Sequence, residues 1–109
     1  VIELTNLEIC KHIAKIEGYP QKVMGHDTVI VSTATEHTLG HWKEYNPLTD
    51  DALCFQLMLK YEINLNYDFK GCSNRYVCFH NKHIATELSR SDGASKAICL
   101  AIIEAKKHL

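Results

Sequence analysis

Residues 76–89 read YVCFHNKHIATELS, and the fold turns on how this stretch is read. Two runs, about 75–80 and 83–89, flank Asn81-Lys82. A two-residue loop at that point predicts a β-hairpin in which His80 pairs with His83, Phe79 with Ile84 and Cys78 with Ala85. Side chains alternate across a strand, so one face carries Val77, Phe79, Ile84 and Thr86. That face is the more apolar and is expected to meet the core. The other face carries Tyr76, Cys78, His80, His83, Ala85 and Glu87. Cys78, His80 and His83 therefore share the expected outer face, and they are side chains that metals and thiol chemistry use.

Working outward, INLNYDF (63–69) alternates Ile63, Leu65, Tyr67 and Phe69, as a strand does. KGCSN (70–74) reads as the turn that joins it to the hairpin. After the hairpin, SDGASKAICLAIIEAKKHL (91–109) reads as a helix with Ser91 or Asp92 as its cap. Ala94, Ala97, Ile98, Ala101, Ile102, Ala105 and Leu109 give it a broad apolar face, and its many alanines predict close packing on a sheet. Lys106, Lys107 and His108 stand at the end where the helix dipole favours cations.

Upstream, LTNLEICKHIAKIEGY (4–19) reads as an amphipathic helix of about 5–17. Thr5 and Glu8 form a capping-box pattern, Ile9, Ile13 and Ile16 repeat at helical spacing, and Gly18 with Pro20 stops the chain. DTVIVST (27–33) is β-branched and reads as a strand. TATEHTLGHWKEY (33–45) reads as an irregular connection, with Trp42 either a lid over the core or an exposed contact residue. In YNPLTDDALCFQLMLKYEINL (45–65), Asn46 is the expected cap and Pro47 the first helical residue. Leu48, Ala52, Phe55 and Leu59 form a stripe that Leu53, Cys54, Leu57 and Met58 widen until little polar surface remains. A helix of that kind is largely buried or is half of an interface. The expected architecture is α+β: three helices on a small, mostly antiparallel sheet of three to four strands, in the order α-β-α-β-β-β-α, as one domain over 1–109.

Composition sets limits on function. The net charge is −1, which is not the basic balance of a general nucleic-acid binder. The five cysteines form no CxxC pair and no even framework, which reads as a reduced intracellular protein using cysteine as a small apolar residue. No apolar run reaches the ~20 residues of a membrane helix. No segment reads as a signal peptide, and no membrane partner is expected.

Each chemical candidate has a structural counterpart. A metal centre on Cys78, His80 and His83 needs at least three convergent ligands, and no zinc-finger or HExxH spacing supplies them; His37 and His41 fall in the predicted irregular connection. A Cys78–His80 nucleophile pair lacks the strand-to-helix turn that exposes such a group. Asp50 and Asp51 suit a helix N-terminus better than acid–base work. The five glycines are scattered and build no phosphate loop. Arg75, Lys82 and Arg90 with Tyr67, Phe69, Tyr76 and Trp42 could form a local nucleic-acid platform, or simply be strand aromatics and solvated charges. No catalytic residue and no cofactor are expected.

Three segments carry a family resemblance: LTNLEICKHIAKIEGY, YNPLTDDALCFQLMLKYEINL and ASKAICLAIIEAKKHL. Together the chain resembles the NinX-like proteins of tailed phages, a phage alpha-beta-alpha sandwich domain. The opening helix ends in Gly and an aromatic, a tyrosine and short polar turn precede a long apolar helix, and an alanine-rich helix follows a hairpin. These are helix signatures, not active-site signatures. The resemblance implies a phage or prophage accessory protein of undefined activity in a bacterial cytoplasm. With an apolar excess on the central helix and no catalytic constellation, the expected function is binding a host or phage protein, or self-association. The alternatives are a nucleic-acid-binding accessory factor and a small metal- or thiol-dependent enzyme using Cys78, His80 and His83.

Overall fold

A computed structural model describes residues 4–25, 28–32, 42–68 and 76–108, with the backbone alone for 83–86 and 108. Among them are three helices and two small antiparallel sheets of three strands each, an α+β fold. The chain divides into two compact units, Val1–Asn46 and Pro47–Leu109.

In the first unit, helix α1 (Asn6–Ile16) begins where the sequence places it. The Glu8 amide donates to Thr5 Oγ1 at 3.2 Å, and the Thr5 amide donates to Glu8 Oε1 at 3.1 Å. The Glu8 carboxylate accepts from both the Thr5 amide and, at 3.0 Å, the Thr5 hydroxyl, and these bonds hold its pKa below the ordinary value. The helix ends in a Schellman turn: Gly18 N–H donates to Lys15 C=O and Tyr19 N–H to Ala14 C=O, with Gly18 at φ +81°. Ile9, Ile13 and Ala14 are completely buried. The helix packs on β1 (Gln21–Met24) and β2 (Thr28–Ser32), and β3 (Trp42–Glu44) pairs with the other edge of β2. In β2, Val29, Ile30 and Val31 are all buried, as expected of a central strand.

The expected order had one strand here, and β1 and β3 are two more. β1 is exposed along most of its length and β3 throughout, so neither shows the half-buried alternation that marks a strand in sequence. Trp42 is a strand residue, 44% exposed, with the Lys22 ammonium 4.4 Å from its ring centroid. It is not a buried lid. His37 and His41 lie outside the described residues.

In the second unit, helix α2 (Asp51–Lys60) starts later than Asn46-Pro47 predicts. Residues 47–49 form a turn, and the Asp50 carboxylate caps the helix by accepting from the Leu53 amide at 3.2 Å. Asn46 has other work: its Oδ1 accepts from the Cys10 thiol at 3.4 Å. Strands β4 (Ile63–Tyr67), β5 (Tyr76–His80) and β6 (His83–Ser91) form a sheet in that order, and helix α3 (Ala94–His108) packs on all three. Ala97, Cys99, Ala101 and Ile102 of α3 are fully buried. The alanine-rich helix thus lies close on the sheet, as predicted. The KGCSN turn, Phe69 and Arg75 fall outside the described residues.

Candidate functional site

The hairpin turns at Asn81-Lys82 and pairs His80 with His83, as the sequence predicts, but the rest of the register slips. Cys78 faces Ser89, not Ala85, and Phe79 faces Glu87, not Ile84. β6 spends nine residues where β5 spends five, so extra residues bulge from β6 on either side of Glu87. Counting outward from the turn could not reveal the insertions, because a bulge is invisible to a period-two pattern.

The expected faces are corrected as well. Leu65, Cys78 and Ser89 are cross-strand partners and form one row. Ser89 Oγ donates to the Ala97 carbonyl of α3 at 2.6 Å, which fixes this row against the helix. Cys78 is therefore a core residue, 0% exposed, and not a member of an outer face. Val77 beside it is buried too. Val77 and Cys78 are adjacent in the strand and both buried, so polarity does not separate the two faces of β5 at this point. Burial pushes the Cys78 thiol up to about 11, against a smaller opposing hydrogen bond from Ser89. At neutral pH it is a thiol, without the thiolate that nucleophilic or metal chemistry needs.

His80 lies on the same side of β5 by alternation but is engaged at the strand end. Its Nδ1 accepts from the Lys82 amide at 3.1 Å, which leaves the ring proton on Nε2. Nε2 faces Glu62 Oε2 at 3.6 Å, and Lys82 Nζ is 3.8 Å from the same oxygen. The Asn81 amide donates to the Glu62 carbonyl at 2.9 Å. Glu62 follows Tyr61, the residue that caps the end of α2, and has φ 56°, a left-handed conformation that an L side chain adopts at some cost. The hairpin turn is therefore fastened to the end of α2 through one residue, a structural role for His80. The His83 side chain lies outside the described residues. Among the described residues no group of three His, Cys, Asp or Glu could hold a metal ion.

No protein-family model, curated protein or solved structure matches this chain.

The remaining chemistry-bearing surfaces are read from geometry. Of the proposed nucleic-acid platform, Arg90 sits in a carboxylate fork, 2.8 Å from Glu87 and 3.0 Å from Asp68. Both carboxylates raise the Arg90 pKa, with Glu87 the larger influence. Lys82 faces Glu62, and Tyr67 and Tyr76 stack edge to face at 5.2 Å. The two of the predicted cations that fall among the described residues, Lys82 and Arg90, thus face carboxylates. A basic cluster that the linear reading did not assemble lies elsewhere: Lys60 and Lys106 bring their ammonium groups to 5.5 and 5.3 Å from the Tyr61 ring centroid. They come from the last turns of α2 and α3, where the helix dipoles favour cations. Lys107 is exposed next to Lys106.

The apolar excess on α2 resolves into two faces. Cys54 and Leu57 are buried and Leu53 and Met58 half-buried, so this is the core side. The stripe of Ala52, Phe55 and Leu59 faces outward, with Phe55 56% and Leu59 61% exposed. The residues spaced i, i+3, i+7 that suggest a core face are here the solvent face.

Proposed function

We propose that this chain is a non-enzymatic protein-binding module and that α2 is its docking helix. One observation carries the reading. Phe55 and Leu59, one turn apart on a helix already anchored by Cys54 and Leu57, are both more than half exposed. Two large apolar side chains held rigidly on one helix face are anchors of the kind that fill a partner's groove. No helix among the described residues is long and apolar enough to cross a membrane, so a membrane is not what this helix face spans. The accessory role in a phage or prophage, with a host or phage protein as partner, rests on the three sequence segments that resemble NinX-like proteins.

The test is a paired capture with the wild-type chain and a Phe55→Glu/Leu59→Glu variant whose helical circular dichroism matches it. The wild type should retain a stoichiometric protein from bacterial lysate, or associate with itself in sedimentation. The variant should bind at least about tenfold more weakly, as expected for loss of two central anchors. Equal retention by both proteins would sink the docking role of α2, as would a wild type that stays monomeric and retains nothing.

A second reading is favoured by the Lys60–Tyr61–Lys106 cluster, which together with Lys107 could meet a nucleic-acid backbone. On that reading, single-stranded DNA or RNA shifts in a gel at low salt, and a Lys60→Ala/Lys106→Ala variant does not. No shift at micromolar protein would discard it.

A further inference from the structure

Three of the buried cysteines come from three elements of the second unit: Cys54 from α2, Cys99 from α3 and Cys78 from β5. Cys54 Sγ lies 3.9 Å from the Ser95 carbonyl of α3, and the neighbouring Cys99 thiol holds the Cys54 pKa below the ordinary value. Ser95 is one helical turn before Cys99, so this contact places the Cys54 sulfur on the ridge of α3 where Cys99 stands. Cys54 is 3% exposed and Cys99 0%.

We propose that Cys54 and Cys99 are a redox-active dithiol that closes to an α2–α3 disulfide when the protein meets a peroxide. The chemistry differs along the cluster. The Cys99 hydrogen bond lowers the Cys54 pKa by more than burial raises it, whereas burial dominates at Cys78. With its pKa held below the ordinary value, Cys54 takes the attacking role and Cys99 the resolving one. The Cys54 thiolate attacks one peroxide oxygen and the O–O bond breaks. This yields Cys54 sulfenic acid and a hydroxide, which leaves as water with the Cys54 proton. Cys99 sulfur then attacks the sulfenic sulfur, and the hydroxyl departs as water with the Cys99 proton. Two thiols are oxidised, and one hydrogen peroxide is reduced to two waters. Access comes at the first turn of α2: Cys54 is its fourth residue, and the first turn of a ten-residue helix opens locally far more often than the whole fold unfolds. The inference stands apart from the docking role of Phe55 and Leu59.

The experiment treats the whole chain with stoichiometric hydrogen peroxide, unfolds it, alkylates the remaining thiols and maps peptides by mass. The expected result is a Cys54–Cys99 linked peptide, two fewer alkylated cysteines, recovery of both by dithiothreitol, and a higher melting temperature for the oxidised protein. Cys54→Ser and Cys99→Ser should each abolish the link and the melting shift. The idea is overturned if every cysteine stays alkylatable, if Cys54 advances to sulfinic acid without a link, or if the link joins any other pair, Cys10, Cys72 and Cys78 included.

Discussion

Ile102→Ala is expected to lower the folding free energy by about 2–5 kcal/mol, the range for deleting a fully buried isoleucine side chain beyond Cβ. Ile102 is 0% exposed and among the largest fully buried side chains, in the helix that packs on β4, β5, β6 and α2. The loss combines the transfer free energy of the removed methyl and methylene groups with the cavity that a close-packed helix and sheet cannot collapse to fill. Leu59→Ala removes a side chain of similar size from the same unit at 61% exposure, and should change stability by no more than about 0.5 kcal/mol. The pair separates burial from hydrophobicity. Urea unfolding followed by circular dichroism gives both values. The single tryptophan, Trp42, lies in the first unit, so its fluorescence reports that unit separately. Coincident transitions would mean that the two units unfold together. An Ile102→Ala loss below about 1 kcal/mol would contradict the assigned core.

Where local chemistry decides local structure, the sequence was a sufficient guide. Thr5 with Glu8 starts α1 and Gly18 ends it, because a capping box and a left-handed turn need only residues a few positions apart. The hairpin turn at Asn81-Lys82 and the alanine-rich α3 were legible for the same reason. What was not legible depended on neighbours distant in sequence. α2 is apolar on most of its circumference, so periodicity could not say that Cys54 and Leu57 face inward while Phe55 and Leu59 face out. Cys78 sat beside two histidines in sequence, yet its burial follows from its place in the row with Ser89, which is tied to α3. The bulges in β6 came with no glycine or proline to announce them. Residues adjacent along the chain suggested a weak ligand cluster at Cys78, His80 and His83, but adjacency along the chain does not report that Cys78 is buried.

Ala97→Leu is expected to destabilise the fold by about 1–3 kcal/mol, the cost of overpacking a tight contact. Leucine and alanine have similar helix propensity, so the helix itself barely objects and the change reads packing. Ala97 is 0% exposed, and its carbonyl accepts the Ser89 hydroxyl at 2.6 Å. That short bond sets how near β6 comes to α3, and a larger side chain must push against it. Ala94, half-buried at the start of the same helix, is the control: Ala94→Leu should be close to neutral. If the Ser89 bond sets the spacing, Ser89→Ala should soften the penalty of Ala97→Leu in a double-mutant cycle, because the strand is then able to move away. Strict additivity in that cycle would show that the sheet is held against α3 by apolar contact alone. An Ala97→Leu variant as stable as the wild type would show that α3 does not lie as close to the sheet as its alanines require.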